Sequence, residues 1–202
     1  MSAYVVMIDG LDALSELDEV PEKMLRAARA AVNRTTDRTR TASARQIRQQ
    51  VNLPARYLDP AGGRLEVSQR ATNSNLEARI TGRHRATSLA RFTSNAEPGQ
   101  AGVRVQVKTG GGARFLPRAF AIRLRAGTAA LDTKSNLGLA VRTANGEKPR
   151  GAYKPKQIGE NLWLLYGPSV AQVFKAVRED VRPDAEDFLE AEFRRLLKLE
   201  NI

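Results

Sequence analysis

The hydrophobic and polar positions change period three times along the chain. Tyr4-Val5-Val6-Met7-Ile8, closed by Asp9-Gly10, is a short β-branched run and reads as a strand ending in a turn. Leu11, Leu14 and Leu17 then recur at helical spacing, and Pro21 is placed to open a long helix over residues 21–52. The Leu53-Pro54 pair stops it, because the residue before a proline is driven out of the helical region. On a wheel of about 100° per residue, Met24, Leu25, Ala28, Ala31, Val32, Thr35, Thr39 and Ala42 share one sector. Between Thr35 and Thr41 that sector carries only threonine, so this stretch is short of apolar contact and is expected to need cover from a neighbouring subunit.

From residue 64 to 166 the period drops to two. Leu65-Glu-Val67 and Leu76-Glu-Ala-Arg-Ile80 alternate around Thr72-Asn-Ser-Asn75, a hairpin pattern. Val103, Val105 and Val107 predict a further strand, as do Phe120–Leu124, Leu137–Val141 and Leu162–Tyr166. The 126–136 and 143–160 segments are rich in Gly, Ala, Pro and polar residues and predict loops. After Gly167-Pro168-Ser169 the helical period returns with Val170, Val173, Phe174 and Val177. Pro183 predicts a restart, and Ala185, Phe188, Leu189, Phe193, Leu196 and Leu197 extend the stripe. The expected fold is α+β in a single domain over 1–202. It has an antiparallel sheet, a long N-terminal helix and two C-terminal helices over 168–200.

Charge sharpens this picture. The chain has 202 residues with 33 Lys+Arg against 22 Asp+Glu, a formal charge of +11. Residues 1–22 hold six acids and no base, residues 175–202 eight acids and six bases, and residues 23–174 the remaining 27 bases and 8 acids. A segmental plan of acidic arm, basic body and mixed tail suits a subunit that meets one partner at its ends and a polyanion along its body. On the long helix Lys23, Arg26, Arg29, Arg34, Arg38, Arg40, Arg45 and Arg48 all fall in the half-turn opposite the apolar sector, relieved only by Asp37. A solvated face normally mixes signs, so this stripe is expected to face a polyanion or an acidic partner. No Phe, Tyr or Trp interleaves with it to stack on bases, so contact with nucleic acid would be to phosphate and non-specific.

Chemistry is harder to find. Cysteine is absent, which excludes disulfides and thiol catalysis and suits a reducing compartment. The single histidine, His84, has no second His or Cys with which to bind a metal and reads as an exposed strand-end residue. Gly110-Gly-Gly112 lacks the phosphate-loop pattern and reads as a turn. Asp37, Asp59, Glu66, Glu77, Glu97, Asp132, Glu147 and Glu160 are scattered rather than clustered. No catalytic, cofactor or metal site is expected, no apolar run approaches the roughly 18 residues that span a bilayer, and the opening segment lacks the basic start of a signal peptide.

Several spaced motifs resemble the phage minor tail protein Z family and the wider set of tail-completion and neck proteins. They are Gly10-Leu-Asp-Ala-Leu14, Val20-Pro-Glu-Lys-Met-Leu25, Ala27–Thr35 with Arg38-Thr-Arg-Thr41, Phe115-Leu-Pro-Arg-Ala-Phe120, Leu139-Ala-Val-Arg142 and, most specifically, Tyr166-Gly-Pro-Ser-Val170-Ala-Gln-Val-Phe174. The resemblance implies a structural virion protein at the tail neck, assembled in the host cytoplasm. Such a protein completes the tail at its head-proximal end and forms a ring, most often a hexamer, around the DNA conduit. Its partners would be further copies of itself, the tail terminator or tube protein, a head-completion or connector protein, and genomic DNA through non-specific contact, with no membrane. On that placement Ala28, Ala31, Val32, Thr35 and Thr39 are expected to form a subunit interface, with the eight bases facing the channel or an acidic neighbour. Reversing the charge of Arg34, Arg38 and Arg45 is expected to leave the monomer folded but to block tail completion. The competing expectation is a cellular protein that binds nucleic acid non-specifically through the phosphate backbone. An enzyme on nucleic acid would need the clustered acidic site that the sequence does not supply.

Overall fold

Between Glu22 and Gln50 the chain has no glycine or proline and six alanines, and it forms the first helix, α1 (Glu22–Gln50). The Pro21 carbonyl accepts the N–H groups of Met24 and Leu25 at 2.8 and 3.1 Å, which starts the ladder. The computed structural model describes residues 3–6, 21–94, 101–124, 137–150 and 154–200. The chain forms two compact units. The first comprises residues 1–47, 56–83 and 171–202, and the second residues 48–55 and 84–170.

In the first unit, strands β1 (Ala3–Val6), β2 (Leu65–Gln69) and β3 (Ala78–Gly82) make a three-stranded antiparallel sheet in the order β1-β3-β2. The expected hairpin is therefore present, and the N-terminal strand joins it. Along β3 the alternation is complete, with Ala78, Ile80 and Gly82 buried and Arg79 and Thr81 between them partly exposed. Val32 of α1 packs with Ala71, Ala78 and Leu189. Asn33 ties the helix to the strand connection through a reciprocal pair, its Nδ2 donating to Ala71 O at 3.1 Å and its Oδ1 accepting from Ala71 N at 2.9 Å.

The second unit carries a six-stranded antiparallel sheet. Its strands are β4 (Ala86–Ser88), β5 (Ala101–Val105), β6 (Arg114–Arg123), β7 (Leu137–Arg142), β8 (Lys156–Gly159) and β9 (Leu162–Ser169). The order is β4-β9-β7-β6-β5, with β8 also pairing β9. β6 starts six residues before the expected strand and contains Pro117, yet the sheet accommodates it. The β5–β6 register shifts between Ala101 and Val103, so Pro117 falls where the ladder is interrupted. Gly102 opposite adopts φ +88°, and a Cβ there would meet the Phe115 ring at 3.0 Å, so both the backbone angle and the ring require glycine. β8 lies inside the expected 143–160 loop. All four of its residues are exposed, which is why no hydrophobic alternation announced it. The expected 126–136 loop lies wholly outside the described residues.

One expectation is corrected. The C-terminal segment is a single helix, α2 (Val170–Leu199), that runs through Pro183. An interior proline costs about 3 kcal/mol in helix propensity. Here Val170, Val173, Phe174, Val177, Val181 and Ala185 are buried on both sides of it, while Pro183 itself is exposed. Continuous burial of the stripe outweighs the local break.

Candidate functional site

The eight bases of α1 do not share one environment. Lys23 Nζ donates to Glu200 O at 3.2 Å. Arg26 pairs with Glu22 at 3.1 Å and Glu200 at 3.4 Å. Arg34 meets Glu192 at 2.5 Å, and the Arg38 guanidinium lies 4.4 Å from the Phe188 ring centroid. Arg40 is partly buried and donates to the carbonyls of Leu58 and Leu65; desolvation pushes its pKa down, and Asp59 opposes that shift. Arg29 is partly exposed, and Arg45 and Arg48 are exposed. The acidic partner of Arg34 is thus on α2 of the same chain, while Arg26 is met by Glu22 of α1 itself and by Glu200 just past the end of α2.

Glu192 is the electrostatic centre of that contact. Its side chain is 9% exposed and lies 2.5 Å from Arg34 and 2.8 Å from Arg195. Hydrogen bonds from Arg195, then from Arg34, hold the carboxyl at about 2, well below its ordinary 4.5, although desolvation pushes the other way. Reversing Arg34 would therefore turn an attraction around a buried carboxylate into a repulsion. The triple charge reversal is not a silent surface change.

Ala28, Ala31, Val32, Thr35 and Thr39 are covered by the chain itself, with exposures of 0 to 3%. The threonine stretch is buried with them: Thr36 Oγ1 bonds back to Val32 O at 2.7 Å, while the Thr35, Thr39 and Ser43 hydroxyls find no hydrogen-bond partner among the described residues. The cover that this face was expected to need from another subunit comes from within the monomer.

Counting charges by unit moves the functional focus elsewhere. The first unit has 18 bases and 18 acids; the second has 15 bases and 4 acids. The whole +11 surplus belongs to the second unit, of which α1 contributes only its last turn with Arg48. Even with every acid paired one to one, eleven bases of this unit would stay uncompensated.

The second unit also has a cleft of about 610 Å³, lined among the described residues by Arg48, Arg91 and Arg104 with Asn52, Ser94 and Gln106 among its polar walls. Its three guanidiniums come from the end of α1, the short 3-10 helix Leu89–Phe92 and β5. Backbone bonds hold these pieces together. Asn52 N donates to Val107 O at 2.9 Å, Thr109 N to Gln50 O at 3.1 Å and Gln106 N to Phe92 O at 2.9 Å. The Gln106 amide closes the glycine-rich turn beneath by donating from Nε2 to Thr109 O at 3.1 Å and Gly111 O at 2.9 Å. Phe92 is seated by Gly167, where a Cβ would come within 2.9 Å of the ring. The exposed guanidiniums of Arg48 and Arg104 are of the kind that suits a phosphate or carboxylate ligand.

Of the expected site residues, only Arg48 lies in this cleft. Arg91 and Arg104 went unnoticed in the sequence. Arg104 stands between Val103 and Val105 as the outward residue of a strand, so its exposure was legible, but its meeting with Arg48 depends on a long-range bridge between Val51 and Lys108. His84 is exposed just before β4, and Gly110–Gly112 form the turn that Gln106 closes. Asp37 and Glu77 are engaged in ion pairs with Arg70 and Arg79 at 2.8 and 2.6 Å.

With the fold and charge distribution in view, residues 8–200 match the profile of the prophage minor tail protein Z (GPZ) family. The chain belongs to that family. It is a structural protein of a phage tail and a component of the virion. No curated protein and no solved structure matches it. Among the described residues of this tail protein, no helix is long and apolar enough to cross a membrane.

Proposed function

We propose that the chain is the repeating subunit of a closed ring, a hexamer, at the head-proximal end of the tail. There it completes the tail at the neck and joins it to the filled head. Its neighbours would be the tail terminator or tube protein on one side and a head-completion or connector protein on the other. The supporting observation is the division of charge, a self-compensated first unit beside a second unit with 15 bases and 4 acids. The first unit suits packing among protein rings. The second suits a conduit for DNA, where phosphate contacts without base readout hold the genome yet let it slide. Closed rings need two complementary patches per subunit, and two units of different charge are one means of supplying them.

The test is a prophage lacking this chain, induced and viewed by electron microscopy. The expected result is filled heads beside unattached tails, with joining restored by the wild-type chain. Normal particles, or an absence of tails, would overturn the placement. The charge of the second unit also favours a second reading, a non-specific nucleic-acid-binding protein acting alone. That reading requires tight binding to free duplex and no association with tail subunits, which a salt-series gel shift and co-purification separate.

A further inference from the structure

We propose that the β5–β6 hairpin, with Phe115 as its anchor, is the docking surface for α2 of a second copy of the chain, whose Asp180, Asp184 and Asp187 meet the arginines beside that ring. This rests on the ring reading above and names the two patches through which one subunit holds the next.

The anchor comes first. Phe115 is 55% exposed, yet its ring is held in place. It stands opposite Arg104 in the ladder and lies over Gly102, whose φ of +88° and missing Cβ leave room for it. A ring fixed at the surface that buries little within its own monomer has the character of an interface anchor, where a few aromatic residues carry most of the binding energy. Bases accompany it. Residues 101–124 hold five bases and no acid. Arg104, Arg114 and Arg118 are exposed, with no ion-pair or hydrogen-bond partner among the described residues.

Charge and shape choose the occupant. On α2, Ala176, Asp180, Pro183, Asp184, Asp187 and Ala191 are all exposed and fall within about 100° of one another on the helix wheel. Other acids of this helix are paired: Glu179 with Arg178 at 2.9 Å, Glu186 with Arg182 at 2.6 Å and Glu190 with Arg194 at 2.5 Å. Asp180, Asp184 and Asp187 have no such partner among the described residues. At spacings of four and three they repel one another along the helix, and cations from outside relieve that repulsion. Pro183 and the two alanines give a phenyl ring a low apolar surface to cover. The phosphate backbone of a duplex gives it none.

Two β5–β6 hairpins face to face would set arginine against arginine, so the contact runs head to tail. Each copy offers one patch and receives on the other, which is the arrangement that closes into a ring. Three aspartates answer three of the eleven surplus bases of the second unit, so most of that surplus remains for the DNA conduit.

The test follows assembly of the full chain by sedimentation velocity over a concentration series. Phe115→Ala should raise the concentration for half-assembly about thirtyfold, the loss of one anchor residue, with its unfolding midpoint near that of the wild type. Arg104→Glu/Arg118→Glu and Asp180→Arg/Asp184→Arg should each stay monomeric alone and assemble when mixed in equal amounts, because each then offers the patch that the other needs. A wild type that assembles together with all three variants would overturn the contact and leave the ring reading standing. A wild type that stays monomeric throughout would overturn both. Assembly lost in the two charge variants and not regained on mixing would overturn the pairing of these patches. Duplex binding lost in Phe115→Ala while assembly persists would assign the face to nucleic acid and overturn the proposal.

Discussion

The two units put the same residue types to different uses. In the first, 18 bases meet 18 acids, and many of them are structural. Arg34 and Arg195 clasp Glu192, Arg70 grips Asp37 with both terminal nitrogens at 2.8 and 3.1 Å, and Arg40 supplies donors to two backbone carbonyls. In the second, 15 bases have 4 acids to answer them, and most of those bases stand exposed on the strands and turns of a sheet whose core is Val103, Val105, Leu139, Ala140, Leu164 and Leu165. The difference teaches that net charge is a property of a folded unit. The run of basic residues that looks most like a polyanion site, α1, lies almost entirely in the neutral unit.

The comparison breaks first if the first unit is not held by its apolar core. Phe174 is fully buried, so Phe174→Ala should lower stability by about 4 kcal/mol in denaturant unfolding. A loss below about 1 kcal/mol would show that the ion pairs, and not the core, carry the unit.

Glu192→Ala should cost about 2 kcal/mol, because it strips three charge-assisted hydrogen bonds, one from Arg34 and two from Arg195. The pH dependence follows in sign. The folded carboxyl sits at about 2 against an ordinary 4.5, so its contribution is present above pH 4.5 and lost as pH falls toward 2. Stability measured over that window should fall less steeply in Glu192→Gln than in the wild type. Equal slopes would remove the clasp from the account.

Pro183→Ala should raise stability by about 1 kcal/mol, since it restores an amide donor inside α2 without touching a buried contact. A fall in stability would mean that the proline itself is needed for packing.

The smallest effect is expected in the second unit. Arg118→Gln/Lys148→Gln should change unfolding free energy by no more than about 0.5 kcal/mol, with any gain confined to low salt. A loss as large as that of Glu192→Ala would erase the contrast between the units.

Much of the fold was legible in local pattern. The long helix, the hairpin of β2 and β3, the strands at Val103, Phe120, Leu139 and Leu164, and the helical stripe after Val170 all follow from period and punctuation, because each buries one side of a regular element. β8 escaped because it buries no side chain, and the single C-terminal helix escaped because Pro183 is a local signal overruled by burial at Phe174, Val177 and Ala185. The candidate site was less legible. Arg48 was found on the helix, whereas Arg91 and Arg104 carry no mark in the sequence that sets them apart from other exposed arginines.

By itself, then, the amino-acid order determined the elements, the total charge, the absence of thiol chemistry and the family resemblance, since each depends on composition or on neighbours a few positions away. Only the tertiary structure decided that Arg34 of α1 is met by Glu192 of α2, that Ala28, Ala31, Val32, Thr35 and Thr39 are interior, and that Arg48, Arg91 and Arg104 line one cleft. Coulomb interactions depend on distance through space, and distances between residues 34 and 192, or 48 and 104, exist only once the chain has folded.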